Sequence, residues 1–425
     1  MAITKFKKTK FKKHLKFFVY LLINIIDHTI IRIKNLFGVD LPKIIIEDKE
    51  DHITCGYYDI TPFNKDETKL LATKFNHILR TPEPGKLAKV GYYILSKDHQ
   101  EFIELGQTNT WNWQQGCRLQ WYPSSNENRI FYNVLLEDHY GSVVQNLDTS
   151  VNSRTIDYPI YELGPFGKLG LTLNFSRLQR LRPGYGYVNL PDPSQHELAP
   201  RDDGIWLVDI ENNQAKLLFS LAELAQKEQL PSMVDAQHYI NHLSFNPSGT
   251  DFLFFHLWVE QNNHRHSRLF TATTDSDRLT LLNNAGPVSH YTWLSDEELV
   301  VTTRIAENQF RYIQYHCQNG FEGIIGNLQL TRDGHPTFVK DNKFLLTDTY
   351  PNRIREQELM VYNLVDDKIT IVERFFSPRN FSSEVRCDLH PRPSPSSNLV
   401  CIDFVRKNRR ALKIIDISKI INSNQ

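Results

Sequence analysis

Four histidines stand at matched places in a repeating phrase of this chain. Imidazole titrates near neutrality and can bind an anion, carry a proton or hold a metal ion. The phrases are Asn241-His242-Leu243-Ser244-Phe245, Ser289-His290-Tyr291-Thr292-Trp293, Gly334-His335-Pro336-Thr337-Phe338 and Leu389-His390-Pro391-Arg392-Pro393. Each continues through a short extended run into a polar turn and then an apolar strand. Two earlier copies carry Tyr58 and Arg118 at the matching place. Four imidazoles, a guanidinium and a phenol brought to one point could grip an acidic ligand and move a proton. The structural alternative is that a repeat shares one histidine to brace neighbouring units.

The phrase recurs roughly every 50 residues, a period typical of β-propeller blades. Units beginning near residues 57, 116, 170, 242, 290, 335 and 390 make seven. The expected class is therefore all-β: a seven-bladed β-propeller over 41–425, preceded by an N-terminal amphipathic helical extension over 1–40. Innermost strands line the channel of a propeller, so matched positions should converge at one mouth. Outer strands are expected at Tyr92-Tyr93-Ile94-Leu95, Gly204-Ile205-Trp206-Leu207-Val208 and Leu359-Met360-Val361-Tyr362. The segment from Lys216 to Gln229 reads as a helical insertion. The last unit is one strand short, and a lone strand, Lys43-Ile44-Ile45-Ile46-Glu47, lies upstream of the first. A ring must hide its edges, so this strand is expected to complete the last blade.

With 49 basic and 49 acidic residues in 425, no global field favours nucleic acid. Five scattered cysteines without a CxxC pair read as free thiols, pointing to a reducing, cytoplasmic setting. Charge is uneven, however. Lys5, Lys7, Lys8, Lys10, Lys12, Lys13 and Lys16 fall within twelve residues that hold no acid. The apolar run after them is too short to span a bilayer and no small-residue cleavage site follows it. Phe11, Leu15, Phe18, Leu22 and Ile25 make one helical stripe. Residues 5–31 are thus read either as a helix on an anionic membrane surface or as a helix packed on the propeller behind a solvated basic tail.

From Asn241 to Phe404 the order and spacing of these phrases resemble those of oligogalacturonate lyases, seven-bladed propellers that cleave uronic-acid oligosaccharides by β-elimination. The resemblance implies His290 as the base and Arg268 as a catalytic assistant. It implies a manganese site that uses His335 and His390. The family's Gln-x-x-His-x-His run reads Cys387-Asp388-Leu389-His390-Pro391-Arg392 here, so two ligand positions hold Cys387 and Arg392. Asp388 or Asp348 could substitute for the lost ligands, or Arg392 could neutralise a substrate carboxylate in the ion's place.

A sugar partner also suits the aromatic stretches Trp111-Asn112-Trp113 and Arg182-Pro183-Gly184-Tyr185-Gly186-Tyr187, since aromatic faces stack on pyranose rings. The alternative for both tryptophans is blade core. Arg118, His242, Arg392, Tyr58 and Trp111 are the expected substrate contacts, and the expected partner is an acidic oligosaccharide or polysaccharide. Two functions follow. One is a carbohydrate-active propeller that cleaves an acidic oligosaccharide as a lyase, with an exposed His290. The other is an inactive propeller that binds glycan or scaffolds a glycan-handling complex, with His290 buried in a structural hydrogen bond.

Overall fold

The computed structural model describes residues 19, 22–96, 100–123, 128–147, 153–284, 286–306, 309–326 and 329–422. These residues form seven antiparallel four-stranded sheets arranged as the blades of a propeller. The innermost strands are β2 (His52–Thr54), β6 (Gln120–Trp121), β10 (Glu162–Leu163), β14 (Gln237–Phe245), β18 (Val288–Trp293), β22 (Thr337–Val339) and β26 (Arg392–Pro393). The ring closes as the sequence predicts. Strand β1 (Lys43–Ile46) pairs with β28 (Arg409–Asp416), from Lys43 opposite Ile415 to Ile46 opposite Leu412.

Blades pack face to face, so central strands bury both faces and read as continuous apolar runs. In β15 (Asp251–Val259), Phe252, Leu253, Phe254 and Phe255 are all buried. In three blades a polar residue of the turn after the inner strand caps its own hairpin. The Asn246 side chain accepts from the backbone N–H groups of Thr250 and Asp251, Asn64 does so for Lys69, and Ser394 for Leu399.

Two expectations need correction. Gly170 to Ser176 is not an inner strand. Residues Leu169–Thr172 form β11, the second strand of the third blade, and helix α2 (Phe175–Leu181) follows. Asn174 caps that helix by accepting from the Arg177 N–H. The inner strand is the shorter Glu162–Leu163, just upstream of the expected segment. Likewise Gln214–Ser220 is strand β13, and the helix, α3 (Leu221–Gln226), begins only after a capping box made by Ser220 and Glu223.

Helix α1 spans 22–35 and lies against the sixth blade. Asn35 hydrogen-bonds the backbone of Arg374, and Lys34 pairs with Glu356 at 2.9 Å. Of the amphipathic stripe, Leu22 and Ile25 are exposed rather than packed, and Phe11, Leu15 and Phe18 lie outside the described residues. Among the described residues no helix is long and apolar enough to cross a membrane.

Candidate functional site

The four histidines meet. Ring centroids lie 4.0 Å apart for His290 and His335, 4.5 Å for His335 and His390, and 6.4 Å for His242 and His290. Irregular backbone at the head of the inner strands aims them inward. His242 and His390 adopt left-handed φ values of 59° and 45°, as does Arg118 at 56°. The pairing register slips at His242 and again just before His290. A bulge of this kind turns a side chain off the strand's alternation.

A plug of tyrosines fills the centre of the ring. Between β2 and the bridge Phe63–Leu70 the chain leaves the sheet and carries Tyr57 and Tyr58 inward. The excursion begins at Gly56, whose φ of +88° and closeness to the Gln115 carbonyl disfavour a side chain. The Tyr57 ring lies 5.3 Å from His242, 6.0 Å from His335 and 4.8 Å from His390. Tyr58 lies 5.0 Å from His335, and its hydroxyl bridges the backbone N–H and C=O of Tyr291 at 2.8 Å each.

Each histidine has a different polar environment. The His290 Nδ1 is 3.1 Å from Asp333, which also accepts from Ser289 and Thr302; its Nε2 is 3.4 Å from the Tyr350 hydroxyl. Burial pushes the Asp333 carboxyl up, but the His290 charge and these three hydrogen bonds outweigh it and hold it below the usual range. His335 Nδ1 is 2.8 Å from Asp348, which also accepts from the backbone N–H groups of His335 and His390. Burial raises Asp348 to about 7. With Asp348 ionised, Nδ1 donates and Nε2 presents its lone pair, the arrangement that orients an imidazole towards a metal. His242 is held by Tyr161 and Asn241. Burial, followed by the charge of a neighbouring histidine, lowers His242, His335 and His390 well below the usual value, so all three are neutral at pH 7.

His335, Asp388 and His390 bring three potential donor atoms within 4.8 Å of one another. His335 Nε2, both ring nitrogens of His390 and Asp388 Oδ1 are buried without a hydrogen-bond partner. Orphaned buried polar atoms are costly, and one from each of these three residues could ligate a divalent cation. Asp388, one of the two acids expected as substitutes for the lost ligand positions, stands in this group. Above the cluster Arg386 pairs with Asp388 at 2.6 Å, donates to the Tyr185 hydroxyl at 2.5 Å, and lies 5.8 Å over the Tyr350 ring. Arg182 flanks Tyr185 from the other side at 5.2 Å.

Other expected site residues lie elsewhere. The Arg118 guanidinium turns from the histidines to Asp59 at 3.2 Å and Glu162 at 2.8 Å. Both acids line a cavity of about 310 Å³ among the turns that follow the inner strands, beside Tyr58 and Tyr291. Arg392 is fully buried, bound to Asp403 and to the Gly56 carbonyl, and so is not turned towards His335 and Asp388. Arg268 stands on the third strand of the fourth blade, donating to the carbonyls of Leu224 and Glu228 and to His256. Trp111 and Trp113 are core, donating to the carbonyls of Lys86 and Arg80 and packing on Phe75. Sequence reading missed Asp333, Tyr57, Tyr350 and Arg386. Asp333 sits two residues before His335 and Arg386 four before His390, so a search for charged residues just upstream of each histidine would have found both.

No protein-family model matches the sequence, and no curated protein matches it. Solved structures do. One oligogalacturonate lyase, in complex with manganese, is 12% identical with a TM-score of 0.58, covering 89% of this chain and 96% of that one. An oligogalacturonate lyase from Vibrio parahaemolyticus is 13% identical with a TM-score of 0.60, covering 90% and 97%. At this identity the likeness shows the shared fold.

Proposed function

We propose that the chain is a uronate lyase of the oligogalacturonate-lyase kind, acting on an acidic oligosaccharide at the histidine mouth. The observation that carries this is the adjacency of two devices. His290, backed by Asp333, lies 4.0 Å from His335, a member of the group of unpaired ligand atoms. β-Elimination needs both a base and charge neutralisation. The proton lost is alpha to a carboxylate, and it becomes acidic only when that carboxylate's charge is neutralised.

In this reading His290 Nε2 takes the C5 proton while Asp333 fixes its tautomer and stabilises the imidazolium. The C4–oxygen bond breaks, a C4=C5 double bond forms, and the departing sugar oxygen collects a proton. Arg386 and Arg182 orient the acidic chain, and Tyr350 stands beside Nε2 to pass a proton. His335, His390 and Asp388 would hold the divalent cation, manganese by analogy with the solved relative, which supplies Lewis-acid neutralisation of the substrate carboxylate.

The side chain of His290 is only 3% exposed, which favours a second reading: a propeller that binds glycan without cleaving it. The unsaturated product absorbs in the near ultraviolet, so galacturonate oligomers incubated with the protein and manganese separate the two. A rising absorbance that disappears in His290→Ala supports the lyase. Saturable binding without absorbance, with or without metal, leaves the binding module.

A further inference from the structure

Helix α1 meets the propeller with its polar side. Asn24 and Asp27 are both bonded to Arg379, at 2.9 and 2.8 Å, His28 stacks on Phe376 at 5.3 Å, and Lys34 and Asn35 hold Glu356 and Arg374. Ile31 is the one apolar residue of 22–35 that is buried. The outward arc carries Leu22, Ile23, Ile25, Ile26, Ile30 and Ile33, which are 37 to 58% exposed. At 3.6 residues per turn these six span roughly 160° of the helix, interrupted only by Thr29. A surface helix normally buries its apolar face and shows its polar one. Here the arrangement is reversed, and polar anchors fix the reversal.

Charge tells what the bare face meets. Seven lysines without an acid precede it in sequence, at residues 5–16. A groove of about 650 Å³ runs along the helix, lined by Arg32, Arg374, Arg406, Lys407 and Lys413; Glu47, Glu358 and Glu373 pair with four of these, so the strip keeps an excess of positive charge. Apolar side chains beside a basic strip match the boundary between acyl chains and anionic headgroups. A protein partner would have to bring both a large apolar patch and a concentrated negative charge; an anionic bilayer offers both at any point of its surface.

We infer that helix α1 lies in the surface of an anionic lipid bilayer, with its isoleucines among the acyl chains and the propeller held at the membrane. The test uses the full chain with phosphatidylcholine vesicles, with or without 30% phosphatidylserine. Co-sedimentation is expected with the anionic vesicles and not the neutral ones, falling at least tenfold in 0.5 M salt as screening shortens the reach of the lysines. The double variant Ile26→Asp/Ile30→Asp replaces exposed residues, keeps the far-ultraviolet circular dichroism of the parent, and loses the binding. A second variant with Lys7, Lys8, Lys12 and Lys13 changed to Gln weakens it at least tenfold while leaving residues 22–35 unchanged. Failure to sediment with any vesicle, or binding unchanged in both variants, overturns the inference. So does a concentration-dependent dimer that Ile26→Asp/Ile30→Asp dissociates, since the face would then cover a second copy of the chain.

Discussion

Two buried groups of this propeller each pair two histidines with one charged residue, and their outcomes are opposite. In the fourth blade, His238, His256 and Arg268 form a closed chain. His238 spans the Met233 carbonyl and His256, His256 receives Arg268, and Arg268 finishes on two carbonyls at the end of helix α3. Neither histidine nitrogen nor the Arg268 head is left without a partner. At the channel mouth, His335, His390 and Asp388 are as deeply buried, yet four of their polar atoms have none. Burial alone does not separate a brace from a site, because both are dry. What separates them is whether the hydrogen bonds close within the protein.

The sharpest way to test this difference is to remove one group from each cluster. His290→Ala, beside the open cluster, should cut turnover of galacturonate oligomers by about 10²–10⁴-fold, the usual worth of a positioned base, with binding little changed. Steady-state kinetics and calorimetric titration check the two halves. Arg268→Ala, in the closed cluster, should instead destabilise the fold by about 2–4 kcal/mol, because it strands buried carbonyls and His256. Denaturant unfolding reads this, and undiminished turnover per folded molecule is expected. A loss of turnover at full stability would return Arg268 to catalysis.

Acid should distinguish the closed cluster by its sign. Burial, with smaller contributions from nearby arginines, lowers His238 to about 4. The unfolded chain then binds more protons than the folded one between about 6.5 and 4, so stability is full above 6.5 and falls on acidification through that window. The change is on the order of 3 kcal/mol for this residue, and His238→Gln should flatten that part of the unfolding free energy against pH. The smallest expected effect is at the rim. Arg386→Ala should weaken oligomer binding by about tenfold, the worth of one charge-assisted contact, with the cation site retained.

The ring was legible because propeller blades repeat. The turn residues Asn246 and Ser394 must cap each hairpin, and the strands must be apolar on both faces, so the pattern survives in one dimension. The third blade was misread because the insertion from Leu173 to Asp203 breaks the rhythm. Convergence of the histidines was likewise readable from register. What each charged head then does was not. Arg118, Arg268 and Arg392 all sit where spacing put them, but each guanidinium is taken by acids or carbonyls distant in sequence. Trp111 has the composition of a sugar-stacking loop and the environment of a core, because Phe75 and the Lys86 carbonyl come from another strand and turn. Asp333 and Arg386 enter the site from just upstream of the repeated phrases, at offsets the repeat does not share.

The central claim is that the open cluster is open because a cation completes it. Calorimetric titration of manganese into the protein at pH 7.5 tests this most directly. The account predicts one ion per chain, lost in His335→Ala and in Asp388→Asn and retained in His256→Asn. No binding by the wild-type protein, or binding that survives both His335→Ala and Asp388→Asn, would contradict it.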